Sequence, residues 1–282
     1  MRPVLFILHA ALLVSAHTFS QRIKMSVTED EGMEAIKIDT KLATYFLQTE
    51  AGGFSSILDK DGNDWINWRD SGEDTYPASA AADYRGLPNM VHGAKNSGTT
   101  HPGFSNCITK IIDDKTIESI SKDGEWAFRY TFYEDCVKIE VTQKPTGQAH
   151  WFLYEGTVGG KYDPDNELWG NDTDGLRTDK PDFQKTEGET GRWQWVYFGD
   201  KNAKRTFFVH QQNEDSLDDI FGYLGNTKEQ SISSPDGMIV FGFGRGKQTK
   251  PLITEKSTFV IGFLEENIQS KNILKKMKRV LK

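Results

Sequence analysis

The sequence predicts an all-β fold, an antiparallel β-sandwich or jelly roll that ends in a short C-terminal helix. Three observations predict this fold class. Apolar residues alternate with polar or small ones along many short segments, which is the period of a half-buried strand. Turns rich in Gly, Asn and Asp separate these segments, as they do in sandwiches and barrels. Helical periodicity is scarce before the last residues of the chain.

Residues 1–20 have the pattern of a signal peptide. Arg2 is the only charged residue before the apolar run Val4–Val14, and small residues follow at Ser15 and Ala16. A basic start, a run of this length and a small-residue exit are typical of secretory signals. The run is shorter than the about 20 apolar residues that cross a bilayer. We therefore expect a secreted protein, not a membrane protein, with residues 21–282 as a single sandwich domain.

The clearest strand signals form a hairpin. Apolar residues alternate from Trp126 to Phe132 and again from Val137 to Val141, on either side of a Glu134-Asp135 turn. This pattern predicts two antiparallel strands with one buried face. The same pattern predicts further strands, in chain order, at residues 45–49, 54–58, 193–197, 206–210, 239–243 and 259–263.

The end of the chain differs from the rest. Residues 265–282 are basic and place apolar side chains at Ile268, Ile273, Leu274 and Met277. This spacing predicts a C-terminal helix with one apolar side. Its many charges are expected to form a solvated face.

The net charge and the missing motifs exclude several classes of binding partner and of enzyme. The net charge of -7 argues against DNA or RNA, because nucleic-acid binding requires a basic surface. An anionic substrate remains compatible, since local basic residues can line a cleft on an acidic protein. The sequence contains no Gly-x-Ser-x-Gly elbow, no phosphate-binding P-loop and no His-Glu-x-x-His zinc motif, which are signatures of other enzyme classes.

The chain has two cysteines, Cys107 and Cys136. Two cysteines do not make a disulfide scaffold of the kind that small secreted domains use. In an oxidising compartment they can pair, and they can equally remain buried thiols. The sequence leaves both alternatives open.

Two long stretches, residues 71–104 and 157–190, lack the strand rhythm, and loops of such length are often functional. The first contains five polar or aromatic candidates for chemistry: Tyr84, Arg85, Asn89, His92 and His101. Elimination at a uronic acid removes the C5 proton, which is acidic only when the adjacent carboxylate is neutralised. Arg and Asn can neutralise it, and Tyr, His or Lys can take the proton. The simpler interpretation is that these side chains brace a loop and cap turns.

The second stretch and the strands around it supply the remaining candidates. Lys161 follows Gly159-Gly160, where the backbone can approach a ligand closely. We therefore group Lys161 with His92, His101 and Tyr84 as candidate catalytic residues; the alternative is a solvated lysine. Besides Arg85 and Asn89, the substrate-binding candidates are the aromatic Tyr154, whose ring can stack on a sugar or lie in the core, and three residues near Gly-rich turns: Arg177, Tyr223 and Arg245.

A run of acidic residues in the same stretch suggests a structural calcium ion. Its members are Asp163, Asp165, Asp172 and Asp174. Carboxylate oxygens are the ligands that calcium prefers, although the spacing matches no EF-hand loop. The alternative is a polar loop without metal. No cofactor is required for the expected chemistry.

The segments YRGLPN at 84–89 and YEGT at 154–157, together with the signal peptide, resemble the secreted polysaccharide lyases of marine bacteria. The resemblance is closest to the short, single-domain ulvan lyases. It implies a jelly-roll catalytic domain that cleaves a sulfated, uronate-containing polysaccharide by β-elimination. It also implies a Lys or His base, a Tyr acid and an Arg that holds the carboxylate. We expect a monomer whose partner is an acidic polysaccharide. The Gln-Ile-His motif associated with jelly-roll alginate lyases is missing, which argues against alginate.

Two other functions are compatible with the sequence. A non-catalytic carbohydrate-binding sandwich predicts exposed aromatic residues and calcium, but it has no need for the cluster of Tyr, His and Arg. A glycoside hydrolase or an epimerase on a related sandwich would need two opposed carboxylates or a His–Glu pair. Glu155 and Glu214 are among the candidate carboxylates, and no spacing singles them out.

Overall fold

The computed structural model describes residues 23–68, 88–93, 99–183, 185, 188–225, 231–235 and 237–281. The predicted signal peptide and two of the candidate site residues, Tyr84 and Arg85, lie outside these residues. The described strands are β1 (Lys24–Asp30), β2 (Met33–Asp39), β3 (Ala43–Gln48), β4 (Gly53–Asp59), β5 (Asn89–Gly93), β6 (Thr99–Thr100), β7 (Cys107–Ile111), β8 (Thr116–Ser121), β9 (Ala127–Phe132), β10 (Cys136–Gln143), β11 (His150–Gly156), β12 (Glu167–Asn171), β13 (Gly175–Arg177), β14 (Glu189–Gly191), β15 (Trp195–Asp200), β16 (Thr206–Gln211), β17 (Asp219–Leu224), β18 (Met238–Phe243), β19 (Arg245–Gly246), β20 (Lys250–Pro251) and β21 (Thr258–Leu264).

Short 3₁₀ turns cover Pro102–Ser105, Val158–Gly160, Ser231–Ser233 and Lys247–Thr249, and an α-helix, α1, covers Ile273–Val280. The prediction of an all-β antiparallel sandwich with a short C-terminal helix is confirmed. The helix is shorter than the basic segment that predicted it: Ile268 precedes it, and Leu274 lies on its exposed side. No helix among the described residues has the length and apolar character needed to span a bilayer.

The strands form three larger sheets and one small one. A nine-stranded sheet has the order β13-β12-β15-β16-β21-β10-β9-β8-β7, and a six-stranded sheet has the order β14-β17-β18-β11-β5-β6. The first four strands form a meander, β1-β2-β3-β4, and β19 pairs with β20. The ladders between the named strands are antiparallel. The sandwich is therefore built mainly from hairpins and a few longer crossovers.

The six-stranded sheet packs on the nine-stranded sheet through aromatic side chains. The ring of Phe152 on β11 lies 4.5 Å from that of Phe259 on β21. At the other end of the interface, the ring of Trp169 on β12 lies 4.4 Å from that of Phe221 on β17. These side chains are fully buried. Aromatic residues bury large apolar areas, so this layer dominates the core.

The four-stranded sheet covers the rest of the same inner face of the nine-stranded sheet. The Tyr45 ring lies 5.6 Å from the Phe132 ring, and the Phe54 ring lies 5.5 Å from the Tyr130 ring. The Tyr130 hydroxyl also donates to the carbonyl of Gly52 at 2.5 Å. The nine-stranded sheet thus has two partners side by side on one face.

The other face of the nine-stranded sheet carries a smaller apolar cluster, which helix α1 covers. Ile273 and Met277 are buried there, next to Tyr197 and Phe208. Residues four apart share one side of a helix, so this spacing explains why a strongly basic segment still binds the sheet. Lys276 forms an ion pair with Glu266 at 2.5 Å.

The strand predictions hold with two corrections. The segment predicted at 193–197 is not one alternating strand: β15 begins at Trp195, and Trp193 belongs to the inner core while Trp195 and Tyr197 face outward. The stretch 157–190 is not only loop, because β12 pairs with β15 in the middle of it. Gly170 interrupts the apolar pattern of β12 where the Tyr197 ring crosses the strand.

Candidate functional site

The outer face of the six-stranded sheet carries polar side chains in an apolar setting. Along β11, Phe152 and Tyr154 point into the inner core, so alternation directs Trp151, Leu153 and Glu155 to the outer face. All residues of this strand are buried. A glutamate on such a strand is unusual, because charged side chains are rarely buried without a specific partner or function.

Two glycines on this face create space for larger side chains. A Cβ at Gly242 on β18 would lie 3.1 Å from the Cβ of Arg245, and a Cβ at Gly222 on β17 would lie 2.5 Å from the Phe183 ring. Arg245 and Phe183 can therefore lie flat over the sheet only because these positions lack side chains.

The guanidinium of Arg245 lies between two aromatic rings. Its Cζ atom is 5.5 Å from the centroid of Trp151 and 5.0 Å from that of Phe183, which are cation–π distances. Burial lowers the pKa of Arg245 to about 10, and the nearby Glu155 carboxylate opposes that shift. The guanidinium is therefore charged at neutral pH.

Several polar atoms of this face have no hydrogen-bond partner among the described residues. They are Nε of Arg245, Nε1 of Trp151 and Nδ2 of Asn89. Asn89 lies on β5 opposite Leu153 and faces the same side. A buried donor without a partner costs about 1–3 kcal/mol, so three such donors on one face make it a candidate binding site. We call Asn89, Trp151, Glu155, Phe183 and Arg245 the arginine face.

Two of the predicted substrate-binding residues, Asn89 and Arg245, lie on the arginine face. Their role in binding stays a prediction, as does that of Tyr84 and Arg85, which are outside the described residues. The signal that identifies the rest of the face is weak in the sequence. Trp151 and Phe183 read as core residues, and Glu155 is one glutamate among many.

The predicted catalytic histidines lie elsewhere. His92 points from β5 to the inner side, where its ring stacks on Trp126 at 4.9 Å. Its Nδ1 lies 2.6 Å from Nε2 of Gln148, and burial lowers its pKa. His101 is 2% exposed and packs against Gly103. Strand alternation sends His92 and Asn89 to opposite faces of β5, so His92 does not join Arg245. His101 lies outside β5, at the start of the 3₁₀ turn Pro102–Ser105.

Lys161 lies at a different opening, and Tyr223 is fully buried in the inner core and does not line that opening. A pocket of about 420 Å³ is lined by Lys161, Asp163 and Lys180 among others. The Nζ atom of Lys180 lies 5.9 Å from the Tyr223 ring. Behind this pocket, burial raises the pKa of Glu167 to about 8. Lys161 itself is exposed.

Two other substrate-binding candidates have structural contacts. Tyr154 is fully buried in the inner core, and its hydroxyl donates to the carbonyl of Trp65 at 2.7 Å, so its ring has no exposed surface. Arg177 lies over the Trp169 ring at 4.9 Å and pairs with Asp179 at 2.7 Å. It braces the loop after β13, because its guanidinium is already satisfied by neighbouring carboxylates.

The four aspartates predicted to bind calcium do not converge. Among the described residues, no group of three or more His, Cys, Asp or Glu side chains could hold a metal ion. Asp163 accepts from Asn166, Asp172 accepts from the backbone of Gln194 and Asp174 accepts from Asn171. Asp165 is exposed. The carboxylates of Asp163 and Asp174 stabilise turns by local hydrogen bonds, as Asp commonly does, whereas that of Asp172 links two segments that are distant in sequence.

Comparisons with known proteins are informative for the fold. No family model matches the chain, and no curated protein matches it by sequence. A candidate mutarotase from Salmonella typhimurium has a similar structure, with a TM-score of 0.52 at 12% identity, over 85% of this chain and 93% of that one. A TPR-domain-containing protein from Parabacteroides distasonis matches with a TM-score of 0.50 at 13% identity, over 83% of this chain and 47% of that one. At these identities the likeness shows the sandwich fold.

Proposed function

We propose that the protein is a carbohydrate-active enzyme that binds a saccharide bearing a carboxylate on the arginine face. The observation that carries this proposal is the charged guanidinium of the half-buried Arg245, whose buried Nε has no partner among the described residues. Charged guanidinium groups bind carboxylates with strong, charge-assisted hydrogen bonds. A candidate mutarotase has a similar structure, and the term mutarotase refers to a sugar-converting enzyme. This likeness supports the proposal that the protein acts on carbohydrates.

Each member of the arginine face has a role in this proposal. Arg245 neutralises the substrate carboxylate, and Asn89 donates a second hydrogen bond through Nδ2. Trp151 and Phe183 hold the guanidinium between them and exclude water, which strengthens electrostatic interactions at the site. Glu155 is the titratable group beside Arg245 and transfers the proton.

The reaction we propose is β-elimination, in line with the resemblance to polysaccharide lyases. The Glu155 carboxylate takes the C5 proton of the uronate. The C5–H electron pair forms the C4–C5 double bond while the C4–O bond breaks, and the departing oxygen is protonated by solvent. Arg245 stabilises the negative charge that develops on the carboxylate during proton removal, which is the main contribution expected of a preorganised site.

The direct test is incubation of the protein with ulvan, polygalacturonate and chondroitin, followed by ultraviolet absorbance of the new double bond. Glu155→Gln should reduce the rate by about 100- to 10,000-fold, the usual range for a general base. Arg245→Met should reduce kcat/KM by about 10- to 100-fold, as loss of a charged hydrogen bond does.

The matched control is Arg129→Met. Arg129 lies on the outer face of the nine-stranded sheet, half exposed and paired with Glu118 at 3.1 Å, so its loss should leave the rate unchanged. Thermal unfolding checks that each variant is folded. Absence of a new double bond with every uronate polymer would contradict elimination, and binding without reaction would leave a carbohydrate-binding sandwich.

A second candidate is interconversion of sugar anomers by proton transfer. It is favoured by the structural likeness to a candidate mutarotase together with a buried carboxyl group, Glu155, on the same face. Polarimetry of freshly dissolved glucuronate and galactose would detect it. Faster decay of optical rotation that Glu155→Gln abolishes, without any new double bond, would favour this reaction over elimination.

A further inference from the structure

The outer face of the nine-stranded sheet contains a separate pocket of about 450 Å³ beside helix α1. Trp195 and His210 are its buried floor, and Gln194, Gln212 and Glu214 line its rim. Lys278 and Leu281, from the last turn of α1 and the residue after it, close one side. We call this the Trp195 pocket. Since the two large sheets pack through their inner faces, it lies on the side of the sandwich opposite to the arginine face.

The strand register explains why the floor exists. Trp195 on β15 and His210 on β16 are direct partners in the antiparallel ladder. Trp195 is two residues from Tyr197, and His210 is two residues from Phe208, so both point to the same outer face as Tyr197 and Phe208. Helix α1 covers Tyr197 and Phe208. The helix contacts the sheet through Ile273 and Met277, so the Trp195–His210 pair remains beside the end of the helix.

His210 has a polar atom that the described residues do not satisfy. The side chain is 8% exposed, and its Nδ1 is buried without a hydrogen-bond partner among those residues. Burial lowers the pKa of His210 to about 4, so the imidazole is neutral at physiological pH. A neutral imidazole offers one donor and one acceptor, which suits a ligand hydroxyl.

The remaining lining fits a neutral, hydroxyl-rich molecule. The rim amide of Gln212 can both donate and accept hydrogen bonds. The Nε2 atom of Gln194 already donates to the Gln211 carbonyl, so Gln194 offers its amide oxygen as an acceptor. One carboxylate, Glu214, and one ammonium, Lys278, balance each other, so no net charge selects for an ion. The indole of Trp195, in the floor of the pocket, supplies an apolar surface. An apolar wall with a few convergent polar groups is typical of small-molecule sites, and sugar rings combine apolar faces with hydroxyl groups.

We propose that the Trp195 pocket binds a neutral saccharide unit, independently of the arginine face. The expected occupant is a pyranose residue that places one hydroxyl against His210 and its apolar face against Trp195. This site would hold a sugar chain at a distance from the reacting unit.

The test is binding of cellotriose, xylotriose and β-1,4-galactotriose, measured by saturation-transfer NMR and calorimetry. At least one trisaccharide should bind to the wild-type protein. Gln212→Ala and Glu214→Ala, both on the exposed rim, should weaken binding by about fivefold, and His210→Ala by about tenfold, as expected for lost hydrogen bonds. The exposed Gln269, outside the pocket, provides the control Gln269→Ala, which should bind as the wild type does.

The outcome also separates this pocket from the proposed active site. Arg245→Met should bind the neutral trisaccharides normally. Failure of all three sugars to bind would overturn the proposal. Binding that survives the rim and His210 substitutions would also overturn it, and so would binding lost only in Arg245→Met, even if the activity proposed for the arginine face holds.

Discussion

At the scale of single residues, the protein keeps several ionisable groups where water does not reach. Glu167 and Asp219 are buried, and burial raises the pKa of each to about 8. Asp219 accepts from the backbone N–H groups of Trp193 and Gly244 at 2.8 Å. One oxygen of Glu167 accepts from the backbone of Asp163 at 3.0 Å. These carboxyl groups remain largely protonated in the folded protein at neutral pH.

This burial predicts a pH dependence of stability. The ordinary pKa of Glu167 is 4.5 and its folded pKa is about 8, so between these values the folded state holds a proton that the unfolded state has released. The free energy of unfolding therefore decreases as pH rises through this range. Glu167→Gln should remove the contribution of Glu167 to this pH dependence. At about pH 8, the free energy of unfolding of the variant should therefore exceed that of the wild type by on the order of 1–3 kcal/mol.

The measurement is urea unfolding of both proteins from pH 5 to about 9, and the quantity of interest is the difference between their free energies of unfolding at each pH. The difference matters because burial lowers the pKa of His150 to about 3 and of His210 to about 4, which makes stability rise with pH in the acidic range. Glu265→Gln, at an exposed position, is the control. Parallel curves for the wild type and Glu167→Gln would show that Glu167 is not protonated in the folded state.

At the scale of elements, small residues on β17 and β18 determine what can lie on the six-stranded sheet. Gly222 and Gly242 each lie beneath a larger side chain, Phe183 and Arg245 respectively. Neither glycine has a positive φ angle, so their role is close approach and not backbone freedom. The arginine face depends on both strands at once.

Gly242→Ala therefore tests the arginine face without touching its polar groups. The new Cβ would lie 3.1–3.2 Å from Arg245 and from the Phe152 carbonyl oxygen, so the guanidinium must shift. We expect activity or uronate binding to fall by about tenfold or more, since small misplacements of positioned groups are costly. The free energy of unfolding should change by only about 1 kcal/mol.

The control is Gly93→Ala, because a Cβ at Gly93 meets no atom within 4 Å. It should preserve activity. Equal behaviour of the two variants would mean that the exact position of Arg245 is unimportant for function.

At the scale of the whole molecule, the sandwich is held by its core and not by covalent cross-links. Cys107 and Cys136 are free thiols, which resolves the alternative that the sequence leaves open. Burial raises the pKa of both thiols to about 12. Thiols with raised pKa values react slowly, because the thiolate is the nucleophile.

We therefore expect a reducing agent to leave the melting temperature unchanged. In the native protein, a thiol-specific reagent such as dithionitrobenzoate should react slowly with both cysteines, and both should react rapidly after unfolding in guanidinium chloride. The double variant Cys107→Ala/Cys136→Ala serves as the blank. A lower melting temperature in reductant would reveal a disulfide.

The sequence by itself determined the fold class of this protein and most of its strands. Period-two alternation is a local property, because each strand buries one face whatever its partners are. This is why the hairpin around Glu134-Asp135 and the strands at 239–243 and 259–263 were predictable. The short basic helix was predictable from a different local period, because Ile273 and Met277 are four residues apart, about one helical turn.

Only the tertiary structure decided which polar residues meet. Residues 89, 155 and 245 are far apart in sequence and share a face because β5, β11 and β18 are neighbours in the sheet and Arg245 follows β18. Strand pairing of this kind depends on the whole chain, and the sequence of one strand does not specify its neighbours. His92 shows the same dependence: one residue of register separates the face of Asn89 and Val91 from the inner core, because side chains alternate along a strand.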